Sequence, residues 1–349
     1  MIVVKGANLT RIVAVLVLLV ILAIIPLRLA AYYLLVLRDV LLWVALAVAW
    51  DFFSGYTKYI SLGSAAFFGL GMYVTAWVVD AFPALPLPVI VLFAGLVNFA
   101  LALAIGLVTL RLRGIYFAIV TFSVSMVVSN LISYWESTVT HTRGTLVPVF
   151  SIQSIYYTIL VGTIIVLLST ALLRRSKFGL ALKMIGENEE AAVHVGVNAS
   201  IYKTLGFAIS AMLISFMGAC FITAEFGYVN TTIAFDASYS FYPAVMALLG
   251  GMGTVYGPMI GATFLALLSD YLTVSLSSYF MIVLGLILIV VVMFMPNGIL
   301  GVIEKIRRKG LRGSVMGIVE KVKTTKLFRS RKEPEKLRKK PTKAPEKPP

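Results

Sequence analysis

ENEEAAVHVGVNASIYK, residues 187–203, is polar, rich in helix-forming residues and set between two long apolar runs. The chain around it has 349 residues, 60% of them hydrophobic and 13% charged. Soluble domains average roughly 45–50% apolar and about 25% charged residues. A water-soluble fold has no means of hiding the excess, so the apolar runs belong in a membrane and the polar island outside it.

The runs bear this out in detail. RIVAVLVLLVILAIIPL (11–27) and YFMIVLGLILIVVVMFMP (279–296) hold no charge away from their first few residues. Each approaches the ~20 residues that cross a hydrocarbon core ~30 Å thick. They are continuous where barrel strands would alternate. The expected fold is therefore an all-α integral membrane protein, a polytopic bundle of about ten transmembrane helices. Crossings are placed near 12–28, 39–54, 61–79, 87–109, 114–134, 156–173, 204–224, 239–252, 255–274 and 279–296. Residues 1–38 form an N-terminal segment with the first crossing, 39–301 the main transmembrane domain, and 302–349 a basic tail. The first run, which lacks a small-x-small cleavage site, is read as an uncleaved helix and not a secretory signal.

Charge orients the bundle. With the N-terminus inside, 27 of the 30 Lys and Arg residues fall on the cytoplasmic side, leaving Arg28, Arg38 and Arg143 outside. Cytoplasmic loops carry such an excess, so both termini and the loop 174–203 are expected in the cytoplasm, with the protein a multi-pass component of the cell membrane. Seventeen of those cations lie from Lys305 onward, accounting for most of the formal charge of +15. The tail is Pro- and Lys-rich with few apolar residues, a composition that favours solvated disorder beside lipid. No folded basic face with aromatic residues accompanies it, so nucleic acid is not an expected partner. One cysteine, Cys220, leaves neither a disulfide framework nor a CxxC metal site. Catalytic and metal-ligating constellations are likewise not found.

Two stretches are rich in glycine: SLGSAAFFGLGMY (61–73) and the short run FYPAVMALLGGM (241–252). The second is short for a crossing, yet the cationic tail stays inside only if it crosses. A broken helix is the expectation, since irregular backbone at membrane depth is tolerated where it lines a cavity or packs on a neighbour. Close helix packing through small residues is the other reading of both stretches. Asp51, near the inner end of the second crossing, is a costly carboxylate at membrane depth; Lys58 is a conceivable partner if the chain turns there.

Within the island, Glu residues suit the positive end of a helix dipole, and Gly196 stands where a glycine closes a helix. Ala191, Ala192, Val195 and Val197 give such a helix a small, flat face, suited to docking in a groove of another protein. An ordinary connecting loop is the plain alternative.

Glu190-Ala191-Ala192-Val193-His194-Val195-Gly196 reads E-A-A-x-x-x-G, and this resembles the EAA loop through which ABC-importer permeases engage their ATPases. The flanks resemble one subgroup, the LivM-like permeases of branched-chain amino acid importers. GYTKYISLGSAAFFGLGMY, LRLRGIYFAIVTFS (110–123), SKFGLALKMIGENEEAAVHVGVNASIYKTLGFAISA (176–211), VMALLGGMGTVYGPMIGA (245–262) and FMPNGILG (294–301) carry the likeness. The resemblance implies an ABC importer permease fold over most of residues 40–301, with Glu190, Ala191, Ala192 and Gly196 coupling to the ATPase. It implies four kinds of partner: a second, LivH-like permease, two ABC ATPase subunits, an extracytoplasmic substrate-binding protein and membrane lipid. No G-x-x-x-x-G-K-[ST] occurs, so no cofactor is expected here and ATP is used by the partners. Branched-chain or related hydrophobic amino acids are the implied cargo. Asp51, Ser64, Gly250, Gly251 and Gly253 are candidates for the translocation path. Ser64 and Tyr59 stand where the family commonly has His and Gln, and Arg143 also departs from its pattern, which keeps urea, a short amide or another amino acid open as cargo. An ion-driven secondary transporter would need a run of intramembrane ionisable residues, and Asp51 is nearly alone.

Overall fold

The structure, a computed structural model, describes residues 20–141, 144–148, 150–222, 227–276, 279, 282, 283, 285, 286 and 298–301. In chain order the helices are α1 (Ala31–Thr57), α2 (Ser64–Ala81), α3 (Leu87–Thr109), α4 (Ile115–Trp135), α5 (Ile152–Arg175), α6 (Lys177–Glu187), α7 (Glu189–His194), α8 (Ala199–Phe221), α9 (Thr231–Ala234), α10 (Ser238–Gly250) and α11 (Tyr256–Ser275). A π-turn continues α4 over Glu136–Thr140. Among the described residues seven helices are long and apolar enough to cross a membrane: α1 to α5, α8 and α11. The chain divides after Ile299. The predicted crossing 12–28 is described only from Val20 onward, and most of the predicted crossing 279–296, together with Arg143 and the tail from 302, lies outside the described residues.

α1 is the central mast. Its sequence is apolar on every side, with neither Gly nor Pro before Gly55, and every residue from Val44 to Gly55 is buried. A helix that is hydrophobic all round belongs inside a bundle, and α5, α8, α10 and α11 surround this one. Hydroxyls fasten it to two of them: Thr163 Oγ1 donates to the Leu41 carbonyl at 3.1 Å, and Ser210 Oγ to the Ala49 carbonyl at 2.7 Å. In hydrocarbon, helices associate through such bonds and through close van der Waals contact, since lipid offers no hydrophobic driving force between them. Glycines supply the close contact between α2 and α8. A methyl group at Gly71 would meet the Ser215 carbonyl, and one at Gly218 the Phe68 carbonyl.

The glycines of 61–73 therefore do not interrupt α2; they let it touch its neighbours. What is irregular is the approach to α2. Lys58 takes a left-handed conformation (φ 63°) that ends α1, and residues 58–63 then fold back alongside it. Trp50 Nε1 donates to the Ser61 carbonyl at 2.7 Å, and the Leu62 N–H donates to Thr121 Oγ1 at 3.0 Å. α2 thus begins level with the body of α1, inside the bundle. A helix start leaves orphan N–H groups; that of Ala65 is met by Ser240 Oγ of α10 at 3.0 Å.

α10, where a broken crossing is expected, is a short helix and not one of the seven that are long and apolar enough to span. It has 13 residues, about 20 Å of helix, which is short of the ~30 Å core. It starts beside α2's first turn and Trp43 of α1, where Tyr239 stacks 5.6 Å from the Trp43 ring. It ends where the Gly253 N–H reaches Asp51, near the end of α1. The chain on its other side is the short α9 and a strand, β2 (Tyr228–Val229), paired antiparallel with β1 (Thr145–Leu146). α10 and α11 form a tight hairpin: a methyl at Gly250 would overlap the Gly257 carbonyl, and one at Gly261 the Met246 carbonyl.

Candidate functional site

The island 176–198 folds as two capped helices under the end of α1. Ser176 Oγ accepts from the Gly179 N–H, Asn188 Oδ1 from Ala191 and Asn198 Oδ1 from Ile201, so each helix start meets a side chain able to cap it. α6 buries Gly179, Ala181, Leu182 and Ile185. At Gly186 it passes so close to the Tyr56 carbonyl that a methyl group would not fit. Phe178 stacks on Phe52 of α1 at 6.4 Å. α6 is therefore fixed to the mast, and α7 hangs from α6 and α8.

α7 is a six-residue helix with Glu189 and Glu190 in its first turn. Gly196, at φ 94°, closes it by donating its N–H to the Val193 carbonyl at 2.9 Å. The expected face is corrected at two positions. Val197 is half-buried and packs against the cluster formed by Ile185, Ala192 and Ala199. Ala192 is 2% exposed and packs inward with Ile185 and Ala199, so it anchors α7 instead of facing outward. The outward surface consists of Ala191, Val193 and Val195, flanked by Glu190 and His194; Val195 is 74% exposed.

Two polar ties hold this end of the bundle; the sequence reading singled out Tyr59 in the first, and Asp51 and Gly253, without joining them, in the second. Glu189 Oε1 accepts from Lys203 Nζ of α8 at 2.6 Å, and its Oε2 accepts from the Tyr59 hydroxyl at 2.8 Å. Lys203 Nζ also lies 4.7 Å from the centre of the Tyr59 ring. Burial pushes the Glu189 carboxyl up, but the bonds from Lys203 and Tyr59, with the charges of Lys203 and Arg113, outweigh it and hold the group below the usual carboxylate range. The same carboxylate, after burial itself, raises the Tyr59 hydroxyl. α7 is in this way tied at once to α8 and to the loop that leads back to α2.

The second tie centres on Asp51, which is fully buried. Its partner is Arg174 of α5 at 2.8 Å and not Lys58, which is exposed. The Gly253 N–H donates to the same carboxylate at 3.0 Å, and the Arg174 guanidinium also lies 4.9 Å over the Tyr56 ring. Lys58 is excluded because the left-handed turn that ends α1 sends its side chain outward. The other suggested path residues lie in close packing: Ser64 is 2% exposed, Gly250 is in the α10–α11 contact, and Gly251 (φ 114°) and Gly253 (φ 81°) make the turn between those helices. Arg174 and Lys203 escaped notice because cations at the membrane margin read first as topology signals, and Glu189 because it read as a helix-dipole charge.

A bundle of apolar crossings built round a buried mast, with one short helix and a capped polar foot, defines a polytopic α-helical membrane protein. Residues 32–292 match the family described as branched-chain amino acid transport system / permease component, and the chain belongs to that family. It is 24% identical over 292 residues to the high-affinity branched-chain amino acid transport system permease protein LivM of Salmonella typhimurium, covering 74% of this chain and 68% of that one. It is 33% identical over 156 residues to the permease protein LivH of Escherichia coli, covering 43% and 49% of the two chains. With the permease protein BraD of Pseudomonas aeruginosa it shares 31% identity over 133 residues, covering 38% and 42%. No solved structure matches.

Proposed function

We propose that this chain is one half of the transmembrane unit of an ATP-binding-cassette importer that carries branched-chain or related hydrophobic amino acids. A second, LivH-like permease would form the other half. Two cytosolic ATPases would supply the energy, and an extracytoplasmic binding protein the cargo. The observation that carries this reading is α7: a small helix with bare valines outward and a carboxylate inward, bonded to two separate parts of the bundle. A push on its outer face passes through Glu189 to α8 and, by Tyr59, to the loop that sets the start of α2. The named cargo of the LivM and LivH relatives supports the substrate class. In this scheme the foot faces the cytoplasm, a placement the distribution of Lys and Arg supports, and Asp51 acts as a clamp between α1, α5 and the α10–α11 turn.

The test is mild solubilisation of the tagged protein from its own membranes, with identification of what co-purifies and uptake of labelled leucine against urea. A second permease with two P-loop ATPases is the expected result, with leucine outcompeting urea. A protein that comes out alone, or uptake that survives inactivation of the ATPase, would overturn the coupling role of α7. Urea outcompeting leucine would leave the machine in place and change its cargo.

A further inference from the structure

One face of α4 carries Phe122, Ser125 and Ser129, at the i, i+3, i+7 spacing of a single helix stripe, with Asn130 beside them. These residues line a cavity of about 270 Å³ closed by Ala65 of α2's first turn and by Phe235 in the turn between α9 and α10. The cavity therefore sits where two irregular features meet: α2 beginning inside the bundle, and the turn before the short α10. Binding sites at membrane depth are built at such interruptions, where backbone can line a cavity.

The polar groups here are not accounted for by the fold. On the same helix Thr121 bonds back to the Phe117 carbonyl at 2.9 Å and Ser123 to the Ile119 carbonyl at 3.0 Å. Ser125 makes only a 3.5 Å contact with the Thr121 carbonyl. The side chains of Ser129, half-buried, and Asn130, exposed, make no hydrogen bond among the described residues. Polar groups on a helix that crosses a membrane face a cavity or a path. All the residues lining this one are uncharged.

We infer that this cavity holds the transported amino acid, with Ser125, Ser129 and Asn130 binding its ammonium and carboxylate ends and Phe122, Phe235 and Ala65 enclosing an aliphatic side chain. The inference rests on the cargo reading given above. Neutral donors and acceptors suit a zwitterion that must leave again, because a buried ion pair with a fixed charge would hold one end too firmly. The aromatic and methyl walls favour a branched aliphatic side chain over a hydrated one.

The experiment uses the assembled transporter in cells, with Ser129→Cys, Leu131→Cys on the opposite side of α4, and Asn130→Leu. The chain's lone cysteine, Cys220, is buried, so labelling by a small water-soluble methanethiosulfonate reports the introduced thiol. Leucine at about ten times its dissociation constant is expected to slow labelling of Ser129→Cys about tenfold, and to leave Leu131→Cys unchanged. Asn130→Leu is expected to raise the KM for leucine uptake about tenfold through the lost hydrogen bond, at an unchanged membrane level. If Asn130→Leu does not insert, the smaller Ser129→Cys change carries the result. Labelling of Ser129→Cys indifferent to leucine, in a transporter that takes leucine up, would overturn the site and leave the cargo reading standing. A wild-type transporter that takes up no leucine overturns both.

Discussion

Glu189 shows how one carboxylate acquires a mechanical role. It stands one position before the E-A-A run, and its two oxygens are shared between Lys203 and Tyr59. Because its carboxyl is held below the usual range, the tie contributes fully above the unfolded carboxylate value. It is lost only as pH falls through the lower folded value. Uptake should therefore show no transition from this tie between neutral and mildly acidic pH, and Glu189→Gln should leave the profile there unchanged in shape. Lys203→Met leaves the carboxylate half-buried without its cation. A loss of about 1–2 kcal/mol in stability is expected, reduced from the buried-pair figure because Glu189 is in part hydrated. Thermal unfolding of the single and double variants with Glu189→Gln measures it. A double variant no more stable than Lys203→Met would mean that the two groups do not act as a pair.

At the scale of elements, α7 is closed by Gly196 in a conformation that side chains rarely adopt, yet a methyl group there would meet nothing within 4 Å. Gly196→Leu adds both backbone strain, about 1–2 kcal/mol, and bulk on an open face. Asn tolerates the left-handed backbone and adds less bulk, so it separates the two effects. Gly196→Leu is expected to reach the membrane normally while uptake falls to about a tenth or less, a coupling loss of about 1.4 kcal/mol. Gly196→Asn should retain most uptake. Normal uptake by a well-inserted Gly196→Leu protein would remove the docking role of this face. The sequence made such elements readable to different degrees. The long helices announced themselves as uncharged runs, and the shortness of α10 through Gly250 and Gly251. The re-entry of 58–63 did not, because it rests on Trp50, Ser61 and Thr121, which carry no local pattern. Ser125, Ser129 and Asn130 were passed over for a related reason: in an apolar run they read as dilution of hydropathy, and only the third dimension shows that they share a cavity. Ala192 was misassigned because a six-residue helix has too few turns to reveal its inner face.

Across the whole molecule, the Asp51 tie joins parts far apart in sequence: Arg174 is 123 residues from Asp51 and Gly253 is 202. Nothing local in the sequence selects Arg174 over Lys58; the packing of α1 against α5 does. Arg174→Gln leaves a carboxylate in a dry setting and is expected to cost about 3–5 kcal/mol, whereas adding Asp51→Asn should recover most of that. Detergent thermal melts of the two single variants and the double one decide the matter; a double variant as unstable as Arg174→Gln would show that the charge is not what matters. The bond from the Ala65 N–H to Ser240 has a consequence for how the chain is made. Its acceptor is 175 residues downstream, so when α2 leaves the ribosome its first turn has no protein partner. That turn stays hydrated through the insertion of the next four crossings and dries only when α10 arrives. This amide therefore gains its partner late in synthesis, and chains stalled before Ser240 should keep the Ala65 amide in fast hydrogen exchange.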